Sequence, residues 1–162
     1  MTHARHCGYC GTRFEVDTFP RTCTGCTKTT WSNPTPAVIV LLPVADRLVY
    51  IRRGPGLREG MIAFPGGFLE TGESWQEGAA REVLEETGIV IDPMGLRLLD
   101  VVSTESTKFI EIIALAQPML AHELPDFVPN AEATERLLIE GTPGEPVAFD
   151  IQRAALGAYL DG

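Results

Sequence analysis

From Gly67 to Ile89 the chain reads Gly67, five residues, Glu73, seven residues, and then Arg81-Glu82-Val83-Leu84-Glu85-Glu86-Thr87-Gly88-Ile89. Ser74 with Glu77 makes a capping box, and Gly88 stands where a left-handed C-terminal cap belongs, so the spacing predicts a helix over Trp75–Thr87. At about 100° per residue, Glu82, Glu85 and Glu86 gather on one side, while Ala79, Ala80, Val83, Leu84 and Thr87 form a packing side. Carboxylates spaced this way repel one another unless divalent cations neutralise them, so the segment predicts a helix that serves both a core and a metal site. Gly78 lies between Glu85 and Glu82 on the acidic side and reads as a gap open to a metal-bound phosphate. Glu77 and Arg81, four apart, read as a pair off that face.

Upstream, Phe64-Pro65-Gly66-Gly67-Phe68-Leu69-Glu70-Thr71-Gly72-Glu73 reads as a strand end followed by a glycine-rich loop. Gly66 and Gly67 allow dihedrals that turn a carbonyl inward as a hard oxygen ligand. Glu73, just before the helix, sits where the helix dipole favours a carboxylate and can hold Arg81 in place.

These residues match, position for position, the signature of the Nudix hydrolases, and over this segment the chain resembles that family without departure. The resemblance implies an α/β fold, a Nudix α/β/α sandwich with a mixed sheet. It also implies hydrolysis, dependent on Mg²⁺ or Mn²⁺, of a phosphoanhydride in a nucleoside diphosphate derivative of the ADP-ribose, NADH or FAD type, with release of a nucleoside monophosphate. Carried over residue by residue, the Gly67 carbonyl, Glu82, Glu85 and Glu86 are groups of the catalytic metal site, and Glu73 with Arg81 is a supporting pair. The general base stays open between Glu82 on the helix and Glu132 or Glu135 from a late loop, with Glu105 a further option. Gly66 and Gly67 frame the diphosphate, and Arg52 and Arg53, at the end of a predicted strand, are candidates to contact phosphate. A nucleoside triphosphate or RNA-cap pyrophosphohydrolase would keep the same residues. A non-catalytic ligand sensor on this fold would usually have lost box carboxylates, and none is lost here.

The other constellation is Cys7-x2-Cys10, twelve residues, Cys23-x2-Cys26, which uses every cysteine in the chain. Paired CxxC knuckles suit four thiolates around a structural Zn²⁺. Two disulfides compete with this reading, but the substrate class is intracellular, the sequence shows no secretory signal, and cytosolic thiols stay reduced. Gly8, Gly11 and Gly25 fit the knuckle turns, so residues 1–32 read as a zinc ribbon whose folding energy comes largely from the metal. His3 and His6 read as bystanders. Trp31-Ser32-Asn33-Pro34-Thr35-Pro36 has linker composition, and residues 33–162 form the Nudix hydrolase domain.

In that domain Ala37–Leu42 and Arg47–Arg52 read as an early hairpin, Leu96–Ser103 and Lys108–Gln117 as two more strands, Glu135–Glu140 as a further strand and Ile151–Leu160 as a helix. No apolar run approaches the ~20 residues of a membrane span, and the expectation is a soluble cytoplasmic protein. The formal charge is −9, with four basic and two acidic side chains in residues 1–32. The acidic balance argues against nonspecific binding of nucleic acid, which needs a basic footprint, and leaves a small nucleotide as the expected partner. A ribbon ahead of the box resembles the NADH pyrophosphatase group, yet that group's Ser-Gln-Pro-Trp-Pro-Phe-Pro element is absent from the stretch Leu99–Lys108. The linker and the Ala148-Phe149-Asp150 tail look more like a neighbouring ribbon-bearing subgroup of ADP-ribose or FAD pyrophosphatases. Relatives with ribbons are often dimers, so the resemblance also implies a homodimer. Phe109, Phe127 and Phe149 are candidates to stack on a base.

Overall fold

The computed structural model describes residues 5–104 and 106–161, so His3 and the base candidate Glu105 lie outside the described residues. The chain divides into two compact units, one ending at Pro34 and the other beginning at Thr35.

In the N-terminal unit β1 (Arg21–Thr22) pairs antiparallel with β2 (Thr29–Thr30). The two CxxC loops repeat one hydrogen-bond pattern. Cys7 N donates to Thr12 O at 2.8 Å and its carbonyl accepts from Gly11 N, while Cys23 N donates to Lys28 O at 2.9 Å and its carbonyl accepts from Thr27 N. The residue four after each leading cysteine is left-handed, Gly11 at φ 77° and Thr27 at φ 61°. The loops are thus near-copies, a local repeat that the residue types conceal because threonine fills the place of glycine. Arg21 is buried under the rings of Phe14 and Phe19, 4.0 and 4.4 Å from its guanidinium carbon.

The second unit contains two sheets. One has the order β7-β3-β9-β8, from β3 (Thr35–Leu41), β7 (Gly66–Phe68), β8 (Arg97–Ser103) and β9 (Phe109–Leu115). It is mixed, because β3 and β9 run parallel while the other pairings are antiparallel. The other sheet places β5 (Arg47–Arg53) between β4 (Pro43–Val44) and β10 (Ala133–Glu140), with β6 (Ile62–Ala63) also on β5. The expected hairpin of 37–42 with 47–52 therefore does not form. Pro43 has no amide hydrogen to continue the β3 ladder, so the chain changes sheet there and β5 folds back on β4.

Strand alternation then divides the core. Val38 and Val40 pack with Ala79 and Val83 of α1 (Trp75–Thr87), whereas Ile39 and Leu41 pack with Ala155 and Leu156 of α2 (Asp150–Leu160). A helix on each side of the strands is the α/β/α sandwich. Among the described residues no helix is long and apolar enough to cross a membrane.

Candidate functional site

The site begins with α1, whose ends are those that the local rules predict. Ser74 Oγ accepts from Glu77 N, the Glu77 carboxylate accepts from Ser74 N at 2.7 Å, and Gly88 caps the C-terminus at φ 73°. With Glu77 committed to this box, the expected Glu77–Arg81 pair gives way to a different one. Arg81 donates to both oxygens of Glu73, at 3.1 and 2.8 Å. It also donates to Glu82 at 2.7 Å, to Glu85 at 3.1 Å and to the Phe68 carbonyl at 3.0 Å.

The buried arc of α1 comprises Gly78, Ala79, Glu82, Val83, Glu86 and Thr87. It is turned from the expected packing side: Leu84 is 47% exposed, whereas Glu82 and Glu86 are 8% and 4% exposed. The acids thus lie at the margin of the packed face, beneath β7. A Cβ at Gly67 would stand 2.5 Å from the Glu82 carboxyl carbon. Glu86 Oε2 accepts from Gly66 N at 2.8 Å. Gly66, at φ 153°, leaves no room for a side chain beside the Val38 carbonyl. The expected gap at Gly78 is closed, because a Cβ there would meet Leu69 and, at 2.7 Å, the Glu73 carboxylate. That glycine serves the Glu73–Arg81 contact and offers no opening for phosphate.

Burial pushes the Glu86 carboxyl up to about 8, against the pull of the Gly66 amide. Burial also raises Glu82, against the pull of Arg81, whereas the Arg81 guanidinium lowers Glu73. A buried carboxyl with a raised pKa beside other acids fits a cation site.

The late loop completes the cluster. One carboxylate oxygen from each of Glu82, Glu85 and Glu132 can be chosen so that all lie within 4.8 Å of one another. Glu135 is not brought to this group. It opens the regular part of β10 opposite Arg52, and its carboxylate takes Arg52 Nε at 2.7 Å. Arg52 also grips Glu145 at 3.0 and 3.1 Å and the Gly60 carbonyl at 2.9 Å, so each of its three nitrogens is engaged by protein. Arg53 takes the other side of the strand. It lies 5.3 Å from the Phe149 ring centroid, and its charge opposes the upward shift of Glu86. Of the aromatic candidates, Phe149 and Phe127 lie against Arg53 and Arg136, while Phe109 is tilted 5.5 Å from Phe68.

Several residues of the site carry no sequence signal of their own. Arg136 donates to the Thr87 carbonyl at 2.8 Å and to the Pro125 carbonyl, tying β10 to the end of α1. Gln152 of α2 accepts from Phe64 N at 2.9 Å and holds the segment entering the glycine strand. Asn130 links the Glu132 loop to α1. Each acts across a long sequence separation through backbone groups, which residue type alone does not reveal.

In the N-terminal unit, sulfur atoms of Cys7 and Cys26, and of Cys10 and Cys23, are 3.6 Å apart, and all four lie within 4.8 Å of one another. A disulfide needs about 2.05 Å, so these are free thiols. Four sulfurs about 2.3 Å from a tetrahedral zinc would be separated by about 3.8 Å, and the cluster fits that ion.

A NUDIX domain model matches residues 33–124. The chain is 35% identical over 162 residues to the NAD-capped RNA hydrolase NudC of Pseudomonas aeruginosa, a match covering 98% of this chain and 56% of that protein. It is also 36% identical over 58 residues to the ADP-ribose pyrophosphatase of Methanocaldococcus jannaschii, covering 36% of this chain and 34% of that one. Among solved structures, a NUDIX hydrolase from Nitrosomonas europaea superposes with a TM-score of 0.82 at 27% identity, covering 98% of this chain and 91% of the other. A MutT/nudix protein from Enterococcus faecalis shares the fold, with a TM-score of 0.68 at 20% identity over 82% of this chain and 63% of its own. The chain spans about half the length of the curated relatives with the best-covered matches, 56% for NudC.

Proposed function

The chain belongs to the Nudix family, and from that premise we propose that it hydrolyses a phosphoanhydride in a nucleoside diphosphate derivative such as ADP-ribose, NADH or FAD, releasing a nucleoside monophosphate. The observation that carries this reading is the convergence of Glu82, Glu85 and Glu132, with Glu82 and the buried Glu86 set against the glycine strand.

In this reading the Gly67 carbonyl, Glu82, Glu85 and Glu86 hold the catalytic cations. Mg²⁺ or Mn²⁺ bound there would neutralise diphosphate oxygens and lower the pKa of an attacking water. Glu73 acts through Arg81, whose guanidinium keeps Glu82 and Glu85 aligned. Glu132 is the favoured base, because it reaches the acid cluster while spending no contact on Arg81; Glu82 is the alternative on the helix. Glu135 and Arg52 satisfy each other and leave phosphate to Arg53. The N-terminal unit is a zinc ribbon in which Cys7, Cys10, Cys23 and Cys26 hold one structural ion and leave no open coordination position. Free thiols and this substrate class support a cytoplasmic location.

A second reading rests on the NudC similarity: the diphosphate cleaved lies at an NAD-capped RNA end. The chemistry at the phosphates is the same, and only the group beyond them differs. The sequence argument from net charge weighs against nonspecific grip on a polymer but not against cleavage at its capped end. Product analysis on NADH, FAD, ADP-ribose, nucleoside triphosphates and NAD-capped RNA separates these outcomes. The proposal expects AMP, with a second phosphorylated product, from a dinucleotide or ADP-sugar. Triphosphates turned over at least about tenfold more efficiently than every diphosphate derivative, a gap of 1.4 kcal/mol, would overturn the substrate class.

A further inference from the structure

The loop that presents Glu132 is held by one side chain. Asn130 Nδ2 donates to the Glu85 carbonyl at 2.7 Å, and Asn130 Oδ1 accepts from the amides of Glu132 at 2.9 Å and Ala133 at 2.8 Å. The reverse orientation of the amide would set two donors against two N–H groups and an oxygen against a carbonyl, so these partners fix it. A second hold comes from the opposite side, where Gly54 N donates to the Glu132 carbonyl at 2.8 Å. Only glycine permits that approach, because a Cβ at Gly54 would run into the Ala131 carbonyl.

The tether therefore joins the backbone of Glu85 to the backbone of Glu132, two residues whose carboxylates converge with Glu82. Three neighbouring carboxylates repel when no cation lies between them, and a loop free to move would relieve that repulsion by carrying Glu132 away. An amide is suited to the linkage: it supplies one donor and one acceptor without adding charge, whereas a carboxylate supplies no donor and lysine no acceptor.

We propose that Asn130 is a positioning residue of the hydrolytic site, setting the distance of the Glu132 carboxylate from Glu82 and Glu85 and acting through Glu132, without touching substrate. The inference rests on the reading of Glu132 as a member of the acid site.

The test compares the unsubstituted 162-residue chain with Asn130→Ala, Asn130→Asp, Glu132→Gln and the double variant Asn130→Ala/Glu132→Gln. Asn130→Asp keeps an acceptor for the Glu132 and Ala133 amides but turns an oxygen toward the Glu85 carbonyl, so it cuts the tether while sparing the loop. Should Asn130→Ala fail to fold, Asn130→Asp carries the comparison, paired with Asn130→Asp/Glu132→Gln. One readout is Mn²⁺ binding to the metal-free protein, followed by loss of the free-ion paramagnetic signal. The other is the split between kcat and KM on ADP-ribose or NADH with Mg²⁺.

Each Asn130 variant is expected to weaken Mn²⁺ binding and lower kcat by about 10-fold or more, with KM little changed. In the Glu132→Gln background the same change should have almost no further effect. Wild-type Mn²⁺ binding and kcat in Asn130→Asp would overturn the proposal. An equal loss with and without Glu132 would also overturn it, since Asn130 would then act on the fold generally. Full activity and Mn²⁺ binding in Glu132→Gln alone would overturn the underlying reading of Glu132, and the proposal with it.

Discussion

Arg81 donates to both carboxylate oxygens of Glu73, from Nε at 3.1 Å and from Nη2 at 2.8 Å. This fork lies between the glycine strand and the acid cluster, since the same guanidinium also holds the Phe68 carbonyl and Glu82. A lysine has charge but no fork, and cannot serve these partners together. Arg81→Lys should therefore lower kcat by about 10- to 100-fold, the range for groups that orient metal ligands. Near-normal turnover in a folded Arg81→Lys protein would show that charge alone suffices.

Glu86 gives the metal-free protein a defined pH response. Burial lifts its carboxyl from ~4.3 in the unfolded chain to about 8 in the folded one. The folded state thus binds this proton more tightly than the unfolded state. Its contribution to stability is fully present below the unfolded pKa and is lost as pH rises toward the folded value. Ions that need the ionised carboxylate should offset the loss, so Mg²⁺ should raise the Tm more at about pH 8 than at about pH 6. Glu86→Gln should flatten both trends. The comparison is made by thermal unfolding with and without Mg²⁺, and an unchanged pH slope in the variant would contradict the assignment to Glu86.

Gly66 is a conformational requirement. Its φ of 153° and the Val38 carbonyl facing it leave no place for a methyl group. Gly66→Ala should destabilise the protein by more than about 1 kcal/mol and disturb the amide that donates to Glu86. Denaturant unfolding together with Mg²⁺ binding measures both effects.

For the cysteine cluster, elemental analysis of protein purified under reducing conditions should find one zinc per chain. Cys10→Ser should lose the zinc and loosen the N-terminal unit, with the catalytic metals binding as before. Protein that is fully folded without zinc and shows no reactive thiols would contradict the ribbon.

What the sequence makes legible is what is local. The ends of α1 and its capping box follow from Ser74, Glu77 and Gly88 because those contacts span a few residues. The Glu73–Arg81 pair and the cysteine knuckles are short-range as well. The expected hairpin failed because β3 and β5 take their long pairings from β9 and β10 respectively, far along the chain. Arg52 and Arg53 are neighbours of one type, yet alternation sends one to Glu135 and Glu145 and the other to the Leu57 carbonyl and the Phe149 ring. The choice between Glu132 and Glu135 likewise depends on the register shift at the start of β10, between Ala133 and Glu135. Leu84 is exposed and Glu82 and Glu86 are buried, while Glu85 stays exposed, because helix periodicity gives the angle between residues and not the rotation of the helix against its sheet.

The central claim is that the acids of α1 serve metal-dependent cleavage of a diphosphate. Its most direct test is AMP release from ADP-ribose and NADH, followed with chelator and then with increasing Mg²⁺, for the wild type, Glu85→Gln and Glu86→Gln. The account predicts no AMP in chelator, release that saturates with Mg²⁺, and turnover at least about 100-fold lower in either folded variant. AMP formed equally well without divalent ions, or wild-type rates in either variant, would contradict it.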